Sequence, residues 1–92
     1  MKKFRRFLVS QMDLCKAQGH GGSVWVKVIK LTEEPATIYK LHIGKKVVAG
    51  VRIEGNLRCV EVPDLNIDEQ RHPHFLSPDA REIIAEVESY VV

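Results

Sequence analysis

Two consecutive segments, residues 37–43 and 46–54, alternate apolar with polar side chains, and this two-residue period restricts the fold more than any other feature of the chain. They are separated by Gly44, a residue typical of tight turns. Gly55-Asn56 is a hairpin turn signal, and it predicts a further strand over residues 57–62. Residues 24–31 are rich in β-branched side chains and predict one further strand. The sequence therefore predicts a four-stranded antiparallel meander over residues 24–62.

The alternation also predicts how the second and third strands pair. A three-residue loop over residues 44–46 pairs Ile43 with Val47 and Leu41 with Ala49, which gathers the apolar side chains on one face. A two-residue loop mixes apolar and polar side chains on both faces. We therefore expect the three-residue loop.

The first strand has two registers that the sequence does not separate. In one register the even-numbered residues from Val24 to Val28 join the core, and Trp25 lies on the opposite face of the sheet. In the other register Trp25 joins the core together with Ile29 and Leu31. The position of Trp25 matters because it is the single tryptophan of the chain.

Amphipathic periodicity predicts one helix at each end of the chain. In residues 1–18 apolar side chains recur at spacings of three and four, and Gly19 is a natural helix stop. The apolar positions are Phe4, Phe7, Leu8, Met12 and Cys15. Residues 77–91 predict the second helix, because Ser77-Pro78-Asp79 supplies a capping hydroxyl, a proline without an amide and a carboxylate at the positive helix end.

These elements predict a single α+β domain over residues 1–92 with the order α-β-β-β-β-α. Both helices would cover the apolar face of the meander in a two-layer sandwich and leave the other face partly exposed to water. Residues 63–76 show no periodicity, and we expect a long acidic loop there.

Charge is distributed unevenly along the chain. Residues 1–30 contain seven Lys or Arg and one Asp, whereas residues 63–92 contain two Arg and seven Asp or Glu. This gradient has two interpretations. In one, the basic region is a surface that binds phosphates or an acidic partner. In the other, the first helix packs beside the last and their charges compensate each other. The pI of 8.6 falls below the range typical of nucleic-acid-binding domains.

Two groups of side chains are candidate partner or phosphate sites. The first is the basic stretch of the N-terminal helix, formed by Lys2, Lys3, Arg5 and Arg6. The second lies on the open face of the sheet and contains Trp25, Lys27, Lys40, His42 and Arg52. Bases can stack on an exposed aromatic ring while Lys and Arg neutralise phosphates. The cations of the helix can equally pair with acidic groups of residues 63–76 or of the last helix.

Metal, nucleotide and catalytic sites find little support in the sequence. The metal-capable side chains of the acidic loop include His72 and His74, but an extended His-x-His segment directs its rings to opposite sides. The glycine-rich residues 19–22 follow a helix C-terminus, whose carbonyl groups repel phosphate. Cys15 lies on an apolar stripe, and we expect both it and Cys59 to be buried, reduced thiols. We therefore expect a protein with no bound metal or cofactor and no enzymatic activity.

The chain lacks a membrane-spanning stretch of roughly 20 apolar residues. No apolar region typical of a secretion signal follows the basic residues 2–6, because Ser10, Gln11 and Asp13 interrupt it. A cytoplasmic location is therefore expected.

These observations predict a small non-catalytic protein that docks, as a monomer or a homodimer, on a larger protein or ribonucleoprotein complex. The contact would use the basic N-terminal helix and one face of the sheet, with the nucleic-acid backbone of such a complex within reach. In size and general character the chain resembles the anti-CRISPR proteins, small bacteriophage inhibitors of host defence complexes. The resemblance implies inhibition by docking, covers no defined stretch and gives no residue a role. The alternative is a domain that binds single-stranded nucleic acid directly through the aromatic and basic sheet face.

Overall fold

A computed structural model describes residues 3–19 and 25–91 of the chain. Helix α1 is Lys3–Ala17 and helix α2 is Pro78–Ser89. The strands are β1 Val26–Glu33, β2 Ala36–Ile43, β3 Lys46–Glu54, β4 Leu57–Val62 and β5 Ile67–Arg71. Two short 3₁₀ turns, Pro63–Leu65 and Pro73–Phe75, precede and follow β5. Within the described residues, neither helix has the length and apolar character needed to cross a membrane.

The protein has the predicted α+β architecture, with a helix at each end and an antiparallel sheet between them. Helix α2 begins where the sequence predicted, since the Ser77 hydroxyl accepts a hydrogen bond from the amide of Ala80 at 3.1 Å. It ends at Ser89, two residues before the predicted end at Val91. Both helices pack on one face of the sheet and form a single core with it. The buried apolar side chains come from both layers: Phe4, Leu8, Leu41, Ile43, Val48, Ala49, Val51, Val60, Val62, Ala80, Ile83 and Val87.

The prediction of four strands is wrong, because the segment predicted to be an acidic loop contains a fifth strand. Strand β5 pairs with β4, so the sheet has the order β1-β2-β3-β4-β5. Ile67 is the only apolar residue of β5, and the sequence therefore carries no alternation that identifies a strand. The strand forms because it satisfies the N–H and C=O groups along the edge of β4.

The predicted three-residue loop between β2 and β3 is also wrong. The strands join through the two-residue turn Gly44-Lys45, with Gly44 at φ +61°, and Ile43 pairs with Lys46. A bulge beside Leu41 then shifts the register by one residue, so that Leu41 pairs with Ala49 as expected. The turn pairs His42 with Val47 and leaves Val47 on the exposed face, whereas the bulge buries Val48 and restores the expected register from Ala49 onward.

Candidate binding surface

The open face is the side of the sheet that carries no helix, and its side chains form three rows across the strands. The first row is Lys27, His42 and Val47. The second row is Ile29, Lys40, Gly50, Glu61 and Asp68. The third row is Leu31, Ile38, Arg52, Cys59 and Gln70. Each row is read directly from the cross-strand pairs, because neighbouring residues in a row point to the same face.

Trp25 lies at one end of the open face and is 72% exposed. Strand β1 has the register that directs Val26 and Val28 toward the core, opposite Ile43 and Leu41. Val24, which the sequence placed on the same face, lies outside the described residues. Tryptophan is enriched at the energetic centres of protein interfaces, so an exposed indole at this position is a candidate contact residue.

Three of the predicted cationic or titratable side chains lie on the open face near the start of β1, which Trp25 directly precedes. Lys27 on β1 pairs across the sheet with His42, and Lys40 lies one row further along β2. Both lysines are exposed, while His42 is half-buried. We refer to Trp25, Lys27, Lys40 and His42 as the aromatic–basic patch.

Arg52 shares the open face but has a partner of its own. Its guanidinium donates a hydrogen bond to the carboxylate of Glu54 at 3.2 Å. Because both side chains are about half-exposed, this ion pair is weak and can be broken by a competing ligand. Arg52 therefore lies on the same face as the aromatic–basic patch, but Glu54 compensates part of the charge of Arg52.

Carboxylates occupy the other end of the second row. Glu61 on β4 and Asp68 on β5 are paired directly opposite each other, and both are exposed. Between them and Lys40, Gly50 leaves a shallow groove of about 480 Å³. The open face is thus basic over β1 and β2 and acidic over β4 and β5.

Two cations of the basic stretch of α1, Lys3 and Arg5, form ion pairs with the last helix while their side chains stay largely exposed. The Nε of Arg5 lies 3.5 Å from an oxygen of Glu86, which is 6% exposed, and Lys3 Nζ lies 3.8 Å from Asp79. The amide of Phe4 donates a hydrogen bond to a carboxylate oxygen of Glu82 at 2.8 Å. Charge compensation between the two helices, one of the two interpretations of the charge gradient, therefore describes Lys3 and Arg5. Arg6 is exposed, and Lys2 lies outside the described residues.

The metal-capable side chains of residues 63–76 do not converge. The Glu69 carboxylate accepts hydrogen bonds from the hydroxyl and the amide of Ser77, which lower its pKa below the usual 4.5. The rings of His72 and His74 stack with centroids 4.8 Å apart, so the expectation that they point to opposite sides is wrong. The 3₁₀ turn, not an extended chain, sets their direction. Across residues 3–19 and 25–91, no three potential ligands come together. His20 lies outside these ranges.

The two cysteines are free, but neither is fully buried as predicted. Cys15 is a residue of α1, and its sulfur lies near Gly44 on the helix side of the sheet. Cys59 lies in the third row of the open face, between Arg52 and Gln70. The sequence did not indicate that Cys59 lies on the open face, because Cys59 and the buried Val60 are adjacent apolar residues and do not alternate.

Sequence reasoning gave no role to Gly50, Glu61 or Asp68. Glu61 lies between Val60 and Val62, and this alternation predicts that its side chain points away from the core. Asp68 had no such signal, because its strand was not recognised. No protein-family model, curated protein or solved structure matches the chain, so the surface is interpreted from its own chemistry.

Proposed function

We propose that this chain is a small non-catalytic binding protein that docks on a larger protein or ribonucleoprotein complex through the aromatic–basic patch. The observation that carries this proposal is Trp25, 72% exposed at the end of a sheet face without a covering layer. Lys27 lies two residues after Trp25 and pairs with His42, and Lys40 lies in the next row of the same face. An indole in such a position offers a large contact area at low conformational cost.

The surroundings of Trp25 favour a protein surface as the main contact. Val47 and Leu31, which are 45% and 38% exposed, add apolar area to the same face. Lys27 and Lys40 can steer an acidic partner and fix its orientation. Carboxylates on β4 and β5 restrict a polyanion to the patch itself, because they repel phosphates over the rest of the face.

Helix α1 has a smaller part in this contact than the sequence suggested. Arg5 is held by the buried Glu86, so its recruitment by a partner would leave a buried carboxylate without a counter-charge. Lys3 and Arg6 are exposed and can add a peripheral electrostatic attraction.

The non-catalytic part of the proposal rests on where the perturbed carboxyl lies. The hydrogen bonds from Ser77 lower the pKa of the Glu69 carboxyl, and they hold this group on the helix side of the sheet, away from the groove. Inhibition of a host defence complex by occupying one of its surfaces is the specific form suggested by the general resemblance to anti-CRISPR proteins.

Direct binding of single-stranded nucleic acid is the second candidate function. The exposure of Trp25 beside Lys27 favours it, since a base can stack on the indole while the ammonium neutralises a phosphate. Titration with an oligonucleotide decides this point, because the single tryptophan of the chain reports its own surroundings. Fluorescence quenching that disappears with added salt would support nucleic-acid binding, and an unchanged signal at low salt would exclude it.

Affinity capture from a bacterial lysate tests the docking proposal. We compare the wild type with Trp25→Ala and with the matched control Phe75→Ala, whose ring is 71% exposed beside the opposite edge strand. Complexes held by the wild type and Phe75→Ala but lost by Trp25→Ala, with nuclease treatment leaving them in place, support protein docking. Complexes that nuclease removes identify the ribonucleoprotein form. Equal capture by all three chains, or none, overturns the proposal.

A further inference from the structure

The second row of the open face carries its charges in an order that is complementary to itself. Across the strands the order is Ile29, Lys40, Gly50, Glu61 and Asp68, so the cation and the carboxylates lie on opposite sides of Gly50. Gly50 has no side chain and leaves a depression at the centre of this row, where an added Cβ would meet no atom within 4 Å.

A two-fold axis along β3 brings opposite charges together. Such an axis places β2 of one copy over β4 of the other, and Lys40 then faces Glu61 of the second copy twice in the dimer. An axis across the strands would place Lys40 over Lys40 and is disfavoured. Glu61 and Asp68 repel each other as direct cross-strand neighbours, and a cation from a second copy relieves this repulsion.

Apolar side chains supply the contact area for this arrangement. Leu31 and Leu57 are 38% and 42% exposed, and the half-buried Ile38 lines the groove together with Leu57. Packed sheets lie about 10 Å apart with interdigitating side chains, and the low point at Gly50 allows such an approach near the axis. The two copies of Arg52 meet near the axis, where each keeps the carboxylate of Glu54 beside it.

We infer that the protein forms a two-fold symmetric homodimer through the second and third rows of its open face. This dimer does not depend on the proposed function. Pairing of β3 with β4 begins at Gly50 and Glu61, so β4 and β5 do not extend to the first row. A second copy therefore covers the groove together with Lys40 of the aromatic–basic patch, and it leaves Trp25 and Lys27 free for another partner.

Sedimentation equilibrium over a range of concentrations tests the dimer with a charge swap. We compare the wild type with Lys40→Glu, Glu61→Lys and the double variant Lys40→Glu/Glu61→Lys. Each single variant creates two like-charge contacts, and we expect dimerisation about tenfold weaker or more. The double variant restores opposite charges and should recover dimerisation to within about threefold of the wild type. Glu88→Lys, the same change at an exposed position on α2, is the control and should dimerise normally.

Three outcomes overturn the inference: a wild type that stays monomeric at about 100 μM, single variants that dimerise normally, or a double variant no stronger than the singles. Circular dichroism of each variant verifies folding, and these positions are exposed, so the fold should persist. Capture assays with Glu61→Lys and sedimentation of Trp25→Ala separate this inference from the docking proposal, since each variant should affect one property alone.

Discussion

Ser77 donates two hydrogen bonds to the Glu69 carboxylate, from its amide at 2.8 Å and from its hydroxyl at 2.6 Å. The same hydroxyl oxygen accepts a bond from the amide of Ala80 and so caps helix α2. One residue therefore joins the last strand to the last helix. This link explains how a strand with a carboxylate facing the helix layer is stable at the edge of the sheet.

Glu69→Gln should lower the free energy of unfolding by about 1–2 kcal/mol, because a neutral amide accepts these hydrogen bonds less strongly than a carboxylate. Urea denaturation measures the change. Glu88→Gln is the matched control at an exposed position on α2 and should stay within about 0.5 kcal/mol of the wild type. Equal effects of the two substitutions would contradict the role given to Ser77.

The contribution of Glu69 to stability should depend on pH in a defined direction. Its pKa is lowered in the folded chain by the bonds from Ser77, so the unfolded chain binds a proton more readily. The contribution is complete above the ordinary value of 4.5 and is lost as the pH falls through the lower pKa of the folded state. The difference in unfolding free energy between the wild type and Glu69→Gln should therefore shrink from pH 7 to pH 3. A difference that grows toward acid would refute this assignment.

Arg5→Ala should destabilise the fold more than Lys3→Ala. Removal of Arg5 leaves the Glu86 carboxylate, 6% exposed, without its cation and should cost about 1–2 kcal/mol after allowance for the exposed guanidinium. The pair between Lys3 and Asp79 is exposed on both sides and should contribute at most about 0.5 kcal/mol. Thermal unfolding compares the variants, and the reverse ranking would show that the buried carboxylate is stabilised in another way.

Gly50→Val should stabilise the monomer while weakening self-association. The Cβ of the new side chain meets no atom within 4 Å, and a β-branched residue replaces a flexible one in a central strand, so the gain should be about 0.5–1 kcal/mol. The same side chain fills the low point at the centre of the open face. Denaturation of dilute protein measures the first effect and sedimentation the second. Unchanged dimerisation in a stabilised variant would place the interface elsewhere.

Sequence reasoning recognised most of the fold and part of the candidate surface. Alternation predicted β2, β3 and the pairing of Leu41 with Ala49, and the turn signal at Gly55-Asn56 predicted β4. It also placed Lys40, His42 and Arg52 on the open face. Trp25 remained undecided because both registers of β1 offered an acceptable apolar face, and pairing with β2 made the choice.

The sequence by itself determined the elements whose signals are local. The cap at Ser77, the helical period of Phe4 and Leu8, and the alternation leading to Val60 and Val62 act over a few residues and are visible without a fold.

Only the tertiary structure decided the remaining features. Strand β5 forms through hydrogen bonds to β4, the bulge beside Leu41 through burial of Val48, and the compensation of Arg5 through Glu86, which is distant in sequence. The division of the open face into basic and acidic sides arises in the same way. These interactions join residues far apart along the chain, so their free energies appear only when the sheet and both helices are assembled.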